Sequence, residues 1–153
     1  MKTYNHLVKG LDPAANAFAG TVTSDIVSMK SNNHVQFIIY KGVGTTGTST
    51  VTVEASSTNA AGATTAIIFN YQIITSGDTH GAVTEATTSG FVTTAGSSQL
   101  YKIDVDASAL AASGYEYIRL KCIESVADPV LGGILIVLTE PSQDEAVQAT
   151  TIV

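Results

Sequence analysis

Tryptophan is absent from this 153-residue chain, cysteine occurs once and proline three times. The single thiol, Cys122, rules out an internal disulfide and any multi-cysteine metal site. It stands inside an apolar run, so a buried and inert thiol is expected there rather than a nucleophile. Charged residues make up only 13% of the chain, well below the roughly one quarter usual in soluble domains. The seven basic residues are scattered and the net charge is −6. That balance argues against nucleic acid as a direct partner, because binding phosphates takes clustered Lys and Arg. The longest apolar run, residues 130–138, is too short to cross a bilayer and is broken by Gly132 and Gly133. No membrane partner is expected. The opening Met1-Lys2-Thr3-Tyr4-Asn5-His6 leads into no apolar signal core. Synthesis in the cytoplasm is expected, with the product staying there or leaving inside an assembly.

What the chain does have is 44% hydrophobic residues in a background of Thr, Ser, Gly and Ala. Short hydroxylated and β-branched side chains suit a pleated, half-solvated surface better than a helix. Residues 48–55 alternate, with Val51, Val53 and Ala55 against Thr50, Thr52 and Glu54, the pattern of a half-buried strand. Tyr101, Ile103 and Val105 align in the same way, as do Ile67, Phe69, Tyr71 and Ile73. In residues 34–40 both faces are apolar: Val35, Phe37 and Ile39 on one, Ile38 and Tyr40 on the other. A strand of that kind is covered on both sides for part of its length. Further strands are expected near 24–29, 115–123 and 130–138, with 42–47 as a flexible hairpin loop. The last two runs read as an antiparallel pair around the connector 124–129, with the reversal at Asp128-Pro129. Residues 106–112 favour a short helix capped by Asp106 and closed by Gly114. Residues 76–98 are irregular, with room for one or two edge strands.

The expected fold is all-β, a single-domain antiparallel β-sandwich of seven or eight strands, jelly-roll-like, with that one short helix. An extended N-terminal arm covers residues 1–24, the sandwich 25–141 and a C-terminal tail 142–153. The arm mixes turn residues with isolated apolar ones such as Phe18, and it is either loose or held down by contact. Asp12-Pro13-Ala14-Ala15 offers at most one helical turn there.

No constellation of residues outweighs its plain structural reading, and neither a catalytic group nor a metal or cofactor site is expected. His6, His34 and His80 are too dispersed for a metal site. Asp78-Thr79-His80-Gly81 reads as a turn rather than an acid–base pair. Asp104 and Asp106 share a strand face but lack the further oxygen ligands and the acidic loop of a calcium site. Arg119 and Lys121, flanked by Tyr115 and Tyr117, line one face of a strand that could meet an acidic partner or plain solvent.

Several stretches resemble small structural proteins of tailed bacteriophages, of the capsid decoration or auxiliary head kind. They are Asp25-Ile26-Val27-Ser28-Met29-Lys30 leading into Phe37-Ile38-Ile39-Tyr40, and Gly42-Val43-Gly44-Thr45-Thr46-Gly47-Thr48 with Val51-Thr52-Val53-Glu54-Ala55. Tyr101-Lys102-Ile103-Asp104-Val105-Asp106, Gly114-Tyr115-Glu116-Tyr117-Ile118-Arg119-Leu120-Lys121 and Leu131-Gly132-Gly133-Ile134-Leu135 complete the set. All are pieces of framework. The resemblance implies a non-enzymatic cement protein on the outer surface of a phage head, made in the host cytoplasm. Its partners would be the major capsid protein and further copies of itself, in a trimer. Tyr115, Tyr117 and Arg119, with Phe18 of the arm, are the candidate contacts. A tail- or fibre-associated role and a host- or glycan-binding module are the alternatives. The second is disfavoured by the lack of Trp and the few other aromatics.

Overall fold

The computed structural model describes residues 5–44, 46–60, 62–96 and 98–142. Among them the chain runs β1 (His6–Ala14), β2 (Thr21–Thr23), β3 (Val27–Ser28), β4 (Asn32–Lys41), β5 (Thr48–Ser56), β6 (Thr65–Ile67) and β7 (Phe69–Ser76). It continues as β8 (Thr79–His80), β9 (Thr84–Ala86), β10 (Phe91–Val92), β11 (Gln99–Asp106), α1 (Ala107–Ala111), β12 (Tyr117–Val126) and β13 (Gly132–Pro141). Two antiparallel sheets pack into a sandwich. The larger has the order β1-β13-β4-β11-β7-β8, with β9 also on β7; the smaller is β10-β5-β12-β2, with β3 on β12 and β6 on β5. Seven strands have eight residues or more; these carry the expected alternation, and the others are short edge pieces.

Alternation fixes what lies between the sheets. Val35, Phe37 and Ile39 of β4, Tyr101 and Ile103 of β11, and Ile136 and Leu138 of β13 point inward from the larger sheet. Val51 and Val53 of β5 and Ile118, Leu120 and Cys122 of β12 meet them from the smaller. Each fully buried aliphatic side chain contributes about 1.5–3 kcal/mol relative to exposure. Toward one end the core turns aromatic. Tyr71 stacks on Phe91 at 4.0 Å between centroids and 5° between planes, and Tyr101 lies 5.6 Å from the same ring. The buried Tyr101 hydroxyl donates to Gln99 Oε1 at 2.8 Å and accepts the Thr94 N–H at 2.8 Å, so its burial leaves no polar atom stranded.

Residues 115–123 and 130–138 are strands, as expected, but they do not pair with each other. β12 lies between β5 and β2, while β13 lies between β4 and β1 in the opposite sheet. The connector therefore crosses the end of the sandwich instead of making a hairpin. Val130 plugs that end, 4% exposed, and its carbonyl accepts the Ala17 N–H at 3.0 Å. Crossing gives each sheet an apolar central strand, whereas a hairpin would have placed both in one. The loop after β4 likewise joins the two sheets, and it is held rather than flexible. Gly42 N–H donates to Leu131 O at 2.6 Å and Leu131 N–H to Val43 O at 2.9 Å. Gly47 is needed for this approach, since a Cβ there would come within 2.5 Å of Asp128 O.

The described part of the expected arm, residues 5–24, is built into both sheets as two strands joined by a turn at residues 15–20. β1 pairs with β13, and β2 pairs with β12 at Thr23↔Lys121, Cys122↔Val22 and Ile123↔Thr21. Asp12 and Pro13 lie in β1, and no helical turn starts there. Two register shifts in β1 explain why no period shows in its sequence. Helix α1 forms where expected, yet the Asp106 carboxylate makes no cap bond to it and turns to His34 instead. Expected strand 65–75 is two pieces: β6 belongs to the smaller sheet, β7 to the larger, and the switch occurs at Ile68. Apart from Ser142, the expected C-terminal tail lies outside the described residues.

Phe18 is core. It is 6% exposed, and its ring lies over Gly132, where a Cβ would meet Phe18 Cε2 at 2.7 Å. Phe18→Ala is expected to cost about 3 kcal/mol and to lower the urea midpoint by roughly 2 M; equilibrium denaturation checks this. An unchanged midpoint would show that the ring is dispensable to the fold.

Candidate interaction surface

A two-sheet sandwich has two outer faces, and in this chain they are chemically unlike. The smaller sheet turns Thr48, Thr50 and Thr52 of β5 outward beside Tyr117, Arg119 and Lys121 of β12. At the register pair Arg119↔Glu54 a carboxylate sits among cations. Arg119 donates from Nε at 2.8 Å and Nη2 at 2.7 Å to Glu54 Oε2, and Lys121 Nζ donates to Oε1 at 3.0 Å. Burial pushes the Glu54 carboxyl up, but the hydrogen bonds and charges of Arg119 and Lys121 outweigh it and hold it below the ordinary value. The acidic partner of this basic pair is thus inside the chain. Tyr117 lies under the Lys30 ammonium, 5.7 Å from the ring centroid, and Tyr115 donates its hydroxyl to Thr65 Oγ1 at 3.0 Å. The structure therefore brings Tyr117 and Arg119 onto one face, engaged with neighbours in the same chain; Tyr115, just before β12, packs partly against the core, and Phe18 lies within it.

Along one end of the larger sheet the outer face is also polar. His34 stands between two carboxylates, with Nδ1 2.8 Å from Asp106 Oδ1 and Nε2 3.2 Å from Asp104 Oδ1, while Lys102 Nζ is 3.2 Å from Asp104 Oδ2. The two acids that share a strand face are filled by cationic and imidazole groups of the chain itself. Among the described residues no group of three or more His, Cys, Asp or Glu could hold a metal ion. Asp78 occupies the β7–β8 turn.

The other end of that face is apolar and uncovered. A groove of about 600 Å³ runs over β1, β13, β4 and β11, with Ile38, Leu100, Leu135 and Gly133 in its floor and Leu11 and Leu131 along its sides. Tyr40 and Val43 project beside it, 60% and 70% exposed. Reasoning from sequence did not single out these residues as a site, although the two-sided apolar pattern of residues 34–40 is their signature. At the end of the sandwich, buried Lys41 donates to the carbonyl oxygens of Gly47 and Thr94, tying two loops together. Burial pushes its ammonium down from the ordinary range.

Two solution measurements follow. Glu54 has a lowered pKa in the folded chain, so its stabilisation is present above its ordinary value of 4.5 and is lost as the pH falls through the lowered value. Glu54→Gln is expected to cost about 2 kcal/mol at pH 7, less than a fully buried pair because Lys121 is partly solvated. It should also flatten the acid limb of stability below pH 4.5, read by urea unfolding across pH. Burial pushes the Cys122 thiol up to about 12, so thiol reagents at pH 8 should modify it only after unfolding. Rapid labelling of the native protein would contradict that.

No protein-family model and no curated protein matches the sequence. The fold is similar to that of the SPBc2 prophage-derived protein YomS, known from a crystal structure. The two share a TM-score of 0.51 over 92% of this chain and 96% of that one, at 11% sequence identity. At such low identity the likeness is one of fold.

Proposed function

We propose that this protein is a structural component of a tailed-phage particle, and within it a decoration protein that binds the outside of the head. One observation carries the reading: a tightly cored sandwich leaves one end of an outer sheet face apolar and uncovered while the opposite face is polar and internally paired. A surface of that kind serves association rather than turnover. The fold likeness to a prophage-derived protein supports the choice of particle, and it agrees with the resemblance of the framework stretches to phage structural proteins. The mechanism is thermodynamic. Each copy buries area against the shell and its neighbours, on the order of 1,200–2,000 Å² per contact. Many small contributions then act together against internal pressure. The major capsid protein is the partner, and no reaction, metal or cofactor is involved. The net charge of −6 keeps the outer surface away from stray nucleic acid.

Purified protein mixed with heads of the encoding phage that lack it should co-sediment with them and give ordered density on the shell exterior by electron microscopy. Density on the tail would keep the virion reading and overturn the head assignment. Absence from both would overturn both.

A further inference from the structure

The sequence demands cover on both sides of β4 and β13, and the described chain supplies it on one. Val35, Phe37 and Ile39 of β4, and Ile134, Ile136 and Leu138 of β13, fill the core. Ile38 and Tyr40, with Leu135, line up on the outer side through the pair Leu135↔Ile38, whereas Val137 is already buried, 7% exposed. Strands apolar on both faces belong in sheets that are covered on both faces. Leu7 of β1, 64% exposed, extends the same surface.

We infer that the outer face of β1, β13, β4 and β11 closes on the same face of a second copy of this chain, sheet against sheet about a two-fold axis. This names the first partner of the surface on which the proposed function rests. Three observations favour a second copy. The patch is self-complementary in shape, because Tyr40 and Val43 stand up beside the groove that Pro13 and Gly133 border. A two-fold contact needs that combination of projection and hollow in one surface. Gly133 is fixed by the bulged strand beside it, since a Cβ there would lie 3.0 Å from Leu11 O.

The patch is also nearly balanced in charge. Lys9 pairs with Asp12 at 3.3 Å on one flank, and Lys102 with Asp104 at 3.2 Å on the other. With Asp106 at the polar end of the same face, two cations stand against three carboxylates, a net −1 of the −6 carried by the whole chain. Two copies therefore meet with little repulsion, and neither a strongly acidic nor a strongly basic partner gains from this face. Finally, the sheet edges are guarded and the face is not. β1 carries two register shifts, Lys9 and Pro13, and at the far edge β8 and β9 have two and three residues. Such edges resist strand addition, leaving face-to-face packing about 10 Å apart as the way to cover the sheet. Four strands offer roughly 20 by 25 Å of surface. Standing side chains bring its accessible area toward the roughly 800 Å² per partner of a stable contact.

Sedimentation equilibrium of the full chain tests this, with circular dichroism as the check on folding. Wild type at tens of micromolar is expected at twice the 15.8 kDa of one chain. Leu135→Glu, and separately Tyr40→Ser, should raise the dissociation constant at least about 100-fold and give monomers. Tyr117→Ala on the opposite face should leave the mass unchanged. A monomeric wild type, or a dimer that survives Leu135→Glu and Tyr40→Ser, overturns the inference. A dimer that ignores phage heads would leave this contact standing and end the head assignment; a monomer that decorates heads would do the reverse.

Discussion

Each long strand presses one row of side chains into a layer about 10 Å thick between two sheets, and no other part of the described chain could replace that layer. The one helix spans Ala107–Ala111 and gives Leu110 to the core. Stability therefore comes from interdigitation of β4, β11 and β13 with β5 and β12. The connections that alternate the chain between sheets exist to bring those rows opposite each other. Buried polar groups are accommodated by the same geometry. Tyr101 finds Gln99 and the Thr94 amide, and Lys41 finds two loop carbonyls, so each is paired where it enters the core.

With the inner faces committed to the core, the two outer faces differ. The smaller sheet spends its charged groups internally, on a Glu54 carboxylate clamped from both sides. The larger sheet divides along its strands, with the His34, Asp104 and Asp106 group at one end and an apolar groove at the other. The smaller sheet's polar face satisfies itself, and the apolar end of the larger sheet is left uncovered by the described chain.

Sequence alone read the strands well and their partners poorly. Val51, Val53 and Ala55, or Tyr101, Ile103 and Val105, declare a face because burial repeats every second residue, and that signal is local. Pairing is not local. Nothing in residues 124–129 distinguishes a hairpin from a crossing between sheets, since Asp128-Pro129 suits either. The partnership of Arg119 with Glu54 joins residues 65 apart, beyond the reach of any spacing rule. Phe18 was obscured for another reason. It is an isolated aromatic among turn residues, and only folding the segment against Gly132 reveals its burial. The apolar face was half legible: Ile38 and Tyr40 break the alternation of β4, but the contributions of Leu11, Leu100 and Leu131 come from other strands and loops.

At Ile68 a single residue carries the chain from the β5 side of the sandwich to the β11 side. A force dragging one layer past the other meets covalent backbone at that seam, and the ladders of β6 and β7 resist it from opposite ends. Shear must strip both before the layers slip. A sandwich stitched in this way passes load from one sheet to the other through the backbone as well as through the core.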